Sequence, residues 1–261
     1  MTYETIQLHK TNEIATVILN RPEVHNAMNE QLMKELTECF KKLSDDKKTR
    51  IIILTGNGKS FCAGADLNWM KSMVSYSKQE NIKDSNLLLN LYNEIYDCPK
   101  PVIGKINGHA FGGGIGLIAV CDITIGIPDS KYAFSEVNLG IIPSVISTFV
   151  ATRIKTADMR RLFITGERFN TKYANKIGLI DYVVEPEKLD EKINFYIKQL
   201  KSSGPKAITE VKKLIKNCKE MNQEKYKKHT VEKISELRIS KEGQDGINAF
   251  LNKTTPKWRE Q

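Results

Sequence analysis

The chain is predicted to fold as an α/β domain around a largely parallel sheet, with a helical region at its C-terminal end. Three observations predict this. Residues 50–54 (Arg-Ile-Ile-Ile-Leu) and 102–106 (Val-Ile-Gly-Lys-Ile) are short apolar runs, the pattern of strands buried on both faces. Strand-like and helix-like segments alternate through 50–127, as right-handed β-α-β crossovers require. From about residue 157 onward helical patterns dominate and are rich in lysine. The composition shift divides the chain into an α/β core over 1–186 and a basic helical region over 187–261.

Taken in order, residues 4–9 and 14–19 read as strands, and Lys10-Thr-Asn-Glu13 between them suits a hairpin turn. A loop over 20–28 follows. From Asn29, a plausible N-cap, to Ser44, the apolar residues Leu32, Met33, Leu36, Phe40 and Leu43 recur at helical spacing. The stretch 66–98 is helical in pattern but polar around 75–85, where a mobile segment is expected. Strands are expected at 122–127 and 132–135, an apolar helix over 112–120, and a further strand at 179–184. Helices are expected at 157–165, 171–177, 187–203, 205–220, 224–239 and 242–252.

With 40% hydrophobic and 27% charged residues among 261, the chain can bury a full core and is neither disordered nor collagen-like. Cys39, Cys62, Cys98, Cys121 and Cys218 are odd in number and widely spaced, so buried thiols in a reducing compartment are expected. No metal site is expected, because no His or Cys pair stands at ligand spacing. The N-terminal residues lack a signal-peptide pattern and no apolar run could span a bilayer, which points to a cytoplasmic protein without membrane attachment. The net charge is +9, and residues 187–261 hold 18 Lys/Arg against 11 Asp/Glu. That surplus fits a solvated lysine-rich surface, a phosphate-bearing ligand or neighbouring subunit, or nucleic acid. Nucleic acid fits least, since the lysines lack interleaved aromatics for base stacking.

Two glycine-rich turns each follow a buried strand and precede a helix: Phe61-Cys-Ala-Gly-Ala-Asp66 and Gly112-Gly-Gly114. Such turns at the carboxyl ends of parallel strands are where α/β sheets bind ligands. Unpaired amides at the helix starts could donate to one developing oxyanion, or the turns could be ordinary tight connections. Glu136 is flanked by apolar residues; it is either a desolvated acid/base or a carboxylate facing solvent at a helix start. His25 and His109 read as structural or loop histidines, and Asp66 and Asp122 as turn or helix-cap residues. No G-x-S-x-G elbow surrounds any serine, which counts against a serine hydrolase.

In order and spacing, a set of motifs running through nearly the whole chain resembles the crotonase, or enoyl-CoA hydratase/isomerase, superfamily. They are Leu19-Asn-Arg-Pro22 with Asn26-Ala27, Phe61-Cys-Ala-Gly-Ala-Asp-Leu67, Asn107-Gly-His-Ala-Phe-Gly-Gly-Gly114, Cys121-Asp-Ile123, Phe134-Ser-Glu136, Leu139-Gly-Ile-Ile-Pro143, Thr165-Gly166 and Gly178-Leu179. The resemblance implies repeated β-β-α units, a helical C-terminal trimerisation region, and a homotrimer or a hexamer built as a dimer of trimers. It implies an acyl-CoA substrate and no separate cofactor, coenzyme A being part of the substrate. The amides that hold the thioester oxygen map to Ala65 and Gly113, and the acid/base to Glu136. Contacts to coenzyme A map to Val24, Ala63, Ala65, Asp66 and Leu67, with Phe250, Lys253 and Lys257 as candidates from the C-terminal helices.

The chain departs from the two-glutamate hydratases at Gly116, where the first carboxylate would stand; only Glu136 remains. The departure implies room beside Glu136 for a water or a substrate carboxylate, and it admits a single-glutamate Δ3-Δ2 isomerase. A narrower likeness favours hydration: residues 64–70, 115–119 and 135–147 resemble the bacterial methylglutaconyl-CoA hydratases of leucine breakdown, which also carry glycine at the first position. An RNA-binding protein is the remaining, minor alternative.

Overall fold

The computed structural model describes residues 3–259. They divide into two compact units: one runs to Cys98 and from Val102 to Ile193, and the other comprises Pro99–Pro101 and the chain from Asn194 onward.

In the first unit, β1 (Ile6–Thr11) and β2 (Ile14–Leu19) form the expected antiparallel hairpin, turning at Asn12 with φ of 54°. Asparagine tolerates this left-handed conformation better than most residues. Helix α1 (Glu30–Asp45) starts where expected: the Asn29 side chain accepts from the Leu32 amide at 2.9 Å. Its apolar stripe, Leu32 to Leu43, is fully buried. Burial of each such side chain contributes about 1.5–3 kcal/mol. Strand β3 (Ile51–Gly56) is buried along its whole length and pairs in parallel with β2.

Next come β4 (Ser60–Cys62), α2 (Leu67–Met73) and α3 (Lys78–Tyr96). The single helical stretch expected over 66–98 is therefore two helices. Ser77 starts the second with a capping box, its hydroxyl accepting from the Glu80 amide while the Glu80 carboxylate accepts from the Ser77 amide. Strands β5 (Val102–Ile106) and β6 (His109–Phe111) lead into α4 (Gly113–Ala119), followed by β7 (Ile123–Gly126) and β8 (Lys131–Ala133). A 3-10 helix over Ser135–Leu139 precedes α5 (Ser144–Val150), α6 (Thr156–Thr165), β9 (Phe169–Asn170), α7 (Thr171–Lys176) and β10 (Tyr182–Val183).

The strands form two sheets. One has the order β1-β2-β3-β5-β7-β10, the other β4-β6-β8-β9, and only the β1/β2 and β8/β9 pairs are antiparallel. Each successive pair, β3-β4, β5-β6 and β7-β8, gives its first strand to the larger sheet and its second to the smaller. The three-residue strand β4 overlaps the turn expected over 61–66, and β6 lies just before the turn expected over 112–114, where no element is expected. Parallel pairing of β4 with β6 and of β6 with β8 sets three strand ends side by side. The residues that follow those ends are Ala65, Gly113 and Glu136.

The second unit holds the later turns of α8 (Leu189–Ser202), then α9 (Pro205–Glu220), α10 (Gln223–Ile239) and α11 (Lys241–Leu251). The Glu242 carboxylate accepts from the Lys206 and Ala207 amides at 3.1 and 2.9 Å, an anion at the positive end of α9. Trp258 Nε1 donates to the Ser202 carbonyl at 3.1 Å. The buried-thiol expectation holds for Cys39, Cys62, Cys98 and Cys121 but not for Cys218, which is exposed. Cys218 shares a face of α9 with Val211 and Ile215, both also exposed. No helix among the described residues is long and apolar enough to cross a membrane.

Candidate active site

Residues 20–28 are tied to the turn after β4 by backbone hydrogen bonds. Ala63 N donates to His25 O at 3.0 Å, Met28 N to Gly64 O at 2.6 Å, and Asp66 N to Met28 O at 2.8 Å. Buried Asn26 holds the loop from inside, its amide donating to the carbonyls of Asn57 and Ser60 at 2.8 and 2.9 Å and its oxygen accepting from Arg21 N at 2.9 Å. These ties gather Val24, Ala63, Ala65, Asp66 and Leu67 at one place. Ala65 is exposed, and Leu67 is 74% exposed.

Gly64, at φ of 91°, lets this turn press against the next one: a Cβ there would lie 2.8 Å from the Phe111 carbonyl oxygen. The chain then enters α4 through Gly112 and Gly113. Among the described residues, neither the Ala65 nor the Gly113 amide donates to a protein acceptor. Two unpaired N–H groups thus lie on adjoining turns at the carboxyl ends of parallel strands. The geometry suits an oxygen that gains negative charge.

Glu136 stands over this place. A Cβ on Gly112 would lie 3.1 Å from Glu136 Oε1, and Glu136 Oε2 is buried without a hydrogen-bond partner. Burial pushes the carboxyl pKa up, opposed only by its own backbone amide. The carboxyl is thus largely desolvated, although Glu136 is half-buried as a residue and stands in the first turn of the 3-10 helix.

Asp66 is a helix cap, as one reading of it expects. Its carboxylate accepts from the Asn68 and Trp69 amides at 2.8 and 3.2 Å and pairs with Arg21 at 2.9 Å. Burial raises its pKa, but the Arg21 guanidinium and the two amides outweigh burial and hold the carboxyl below the usual range. Arg21 and Asp66 also wall a polar cleft between the starts of α1 and α2, together with Glu30, Lys34 and Trp69. Asp122 is a turn residue that accepts from Val102 N at 2.7 Å. His109 Nδ1 accepts from Lys131 N at 3.0 Å, and His25 Nδ1 lies 3.1 Å from Ser60 Oγ, so both histidines are structural. Phe250, Lys253 and Lys257 lie in the second unit; Phe250 is 83% exposed, and Lys253 follows α11 in the left-handed conformation. No group of three His, Cys, Asp or Glu side chains among the described residues is placed to hold a metal ion.

One expectation is corrected. The glycine at 116 opens no space of its own for a water or a substrate carboxylate, because a Cβ there would lie 2.6 Å from both Tyr92 Cζ and Ile146 Cγ2. Tyr92 is fully buried, and its hydroxyl donates to the Gly113 carbonyl at 2.8 Å. Burial pushes its pKa well above the ordinary value, with the nearby Cys62 and Glu136 adding to the shift. Sequence reasoning misses Tyr92 because it falls in an apolar helical stripe with Leu88, Leu89 and Leu91.

The enoyl-CoA hydratase/isomerase family model matches residues 9–261. A crotonyl-CoA hydratase of Syntrophomonas wolfei is 30% identical, covering 97% of each chain. A probable enoyl-CoA hydratase of Bacillus subtilis is 31% identical over 94% of this chain and 95% of its own. The crystal structure of an enoyl-CoA hydratase from Shewanella pealeana superposes with a TM-score of 0.95 at 33% identity, covering 98% of this chain and 96% of that one. The chain belongs to the enoyl-CoA hydratase/isomerase family and has its crotonase fold. It is an enzyme of the enoyl-CoA hydratase type, acting on acyl-CoA thioesters.

Proposed function

We propose that the enzyme adds water reversibly across the α,β double bond of an enoyl-CoA, with Glu136 as its one acid/base. The observation that carries this reading is the half-buried Glu136, whose Oε2 is buried without a hydrogen-bond partner, beside two turns whose Ala65 and Gly113 amides are unpaired. In the forward direction Glu136 takes a proton from water as the hydroxyl oxygen bonds to Cβ. The π electrons pass to the thioester oxygen, which the two amides hold as an enolate. Protonation of Cα by Glu136 then restores the carbonyl, and the atoms of one water have been added. Each amide donor supplies about 2.7–4 kcal/mol in comparable sites, and proton transfer by Glu136 about 10²–10⁴-fold.

Val24, Ala63, Ala65, Asp66 and Leu67 form the coenzyme A contact in this reading. Asp66 acts there by capping α2, since its carboxylate is already committed to Arg21 and two amides. Phe250 and Lys253 are the candidates for further contacts to coenzyme A, and the assembly in this reading is a cytoplasmic trimer or hexamer. The acyl group is the branched, carboxylated methylglutaconyl group of leucine breakdown, on the strength of the motif likeness over 64–70, 115–119 and 135–147. Its carboxylate does not sit over Gly116, where Tyr92 and Ile146 fill the space.

The lone carboxylate also supports a second reading, an isomerase in which Glu136 moves a proton between two carbons without consuming water. A panel of thioesters tests the substrate: methylglutaconyl-CoA is expected to lose its conjugated absorbance with the highest kcat/KM, ahead of crotonyl-CoA and longer linear enoyl-CoAs. A linear enoyl-CoA turned over more efficiently would overturn the choice of acyl group.

A further inference from the structure

The hydroxyl of Tyr92 sits between two residues one helical turn apart. It lies 2.7 Å from where a Cβ on Gly116 would stand and 3.0 Å from the corresponding point on Gly113. Its single proton is committed to the Gly113 carbonyl at 2.8 Å. The ring is held edge-on against Phe149 with centroids 5.5 Å apart, and α3, which carries it, is 19 residues long. The phenol is therefore a rigid strut between α3 and the first turn of α4.

We propose that Tyr92 is the positioning residue of this active site, fixing the Gly113 peptide, and that it occupies the volume a carboxylate at position 116 would need. The proposal rests on the reading above in which the Gly113 amide holds the thioester oxygen. Three features argue against a role in packing alone. A phenylalanine would fill the same apolar space, yet a hydroxyl is present and aimed at the backbone of the residue proposed to bind the oxyanion. The side chain is fully buried, so it acts through Gly113 and not on water or substrate. Its acidity is suppressed by burial, so it remains a neutral donor across the working pH range. Glycine at 116 is then the counterpart of Tyr92: the tyrosine reaches Gly113 only because nothing larger stands in its way.

The test uses the full-length protein and acetoacetyl-CoA, whose bound enolate absorbs in the near ultraviolet and reports on the oxyanion site without turnover. Y92F is expected to bind the thioester within about twofold of wild type. Its enolate fraction and kcat should fall together by about tenfold, with KM nearly unchanged, because misplacement of a donor acts on the charged state more than on ground-state binding. The Y92M variant, which keeps apolar bulk without the hydroxyl and leaves Gly116 in place, should fold and show the same loss. A Y92F enzyme with wild-type kcat and enolate fraction would overturn the role of Tyr92 and leave the function standing. Wild type that binds acetoacetyl-CoA with no enolate signal would overturn the oxyanion assignment, and Tyr92's role with it. Normal kcat and enolate fraction in folded Y92M would likewise decide against Tyr92 should Y92F fail to fold.

Discussion

Glu136 places a carboxylate where ionisation is costly, and the proposed acid/base role draws on that cost. Because burial raises its pKa, folding favours the protonated form. The stability it contributes is present below the ordinary glutamate pKa and is lost as pH rises through the elevated value. Glu136→Gln removes the charge and nearly keeps the shape. The variant should be more stable than wild type at pH 8 in urea unfolding, with the gap closing in acid, while turnover falls at least ~10²-fold and thioester binding is little changed. Turnover near that of wild type would remove Glu136 from the mechanism. A second residue-scale expectation concerns Ala65. Its amide donates to no protein acceptor, so Ala65→Pro deletes a donor the fold does not use. Activity should fall about 10²-fold in a protein whose far-ultraviolet circular dichroism is unchanged, and a folded variant with normal turnover would sink the assignment. Gly113→Pro is a poorer test, since Met28 and Tyr92 already occupy the space its ring would need. At this scale the apolar neighbours of Glu136 leave two environments open in the sequence, and the largely desolvated carboxyl is seen only in the structure. Tyr92 is not legible: a phenol in a leucine stripe looks like core until its partner is seen. Gly116 reads as empty space because sequence shows an absent side chain but not the neighbour that fills its place.

At the scale of elements, the proposed site is assembled because β4, β6 and β8 lie in parallel. The long runs 50–54 and 102–106 are legible because apolar residues on both faces leave no other stable placement. The three-residue strands β4 and β6 carry too few residues for a period to show, and their glycine-rich surroundings read as turns. Helix α5 escapes for a similar reason: at seven residues, following Pro143, it is too short to establish a periodic stripe. Helix α2 depends on one cap. Asp66 satisfies its first amides and neutralises a mostly buried Arg21, so Asp66→Ala should cost about 2–4 kcal/mol in urea unfolding at pH 7. Asp66→Asn, which keeps a capping oxygen, should cost less. Because the folded pKa of Asp66 is depressed, its contribution is present above the ordinary aspartate pKa and is lost as pH falls through the lowered value. Equal stabilities for the Ala and Asn variants would remove the cap from this account.

Across the whole molecule, charge and chemistry occupy different parts of the chain. Much of the lysine surplus lies on α9 and α10, where Lys213 pairs with Glu210, Lys227 with Glu224 and Lys233 with Glu236, all exposed or half-exposed pairs within a turn. Such pairs make a solvated surface and add little stability each. The residues proposed to carry the chemistry come from the first unit, whose core is an apolar cluster running from Ile6 to Ile180. The central claim is that this core presents one carboxylate, Glu136, to a water and an enoyl thioester. It is tested most directly by incubating wild type and Glu136→Gln with methylglutaconyl-CoA and crotonyl-CoA in ¹⁸O-water and locating the label by mass spectrometry. The account predicts ¹⁸O at the β carbon with wild type, and incorporation slowed at least ~10²-fold in the variant. Double-bond migration without oxygen label, or labelling as fast in Glu136→Gln as in wild type, would contradict it.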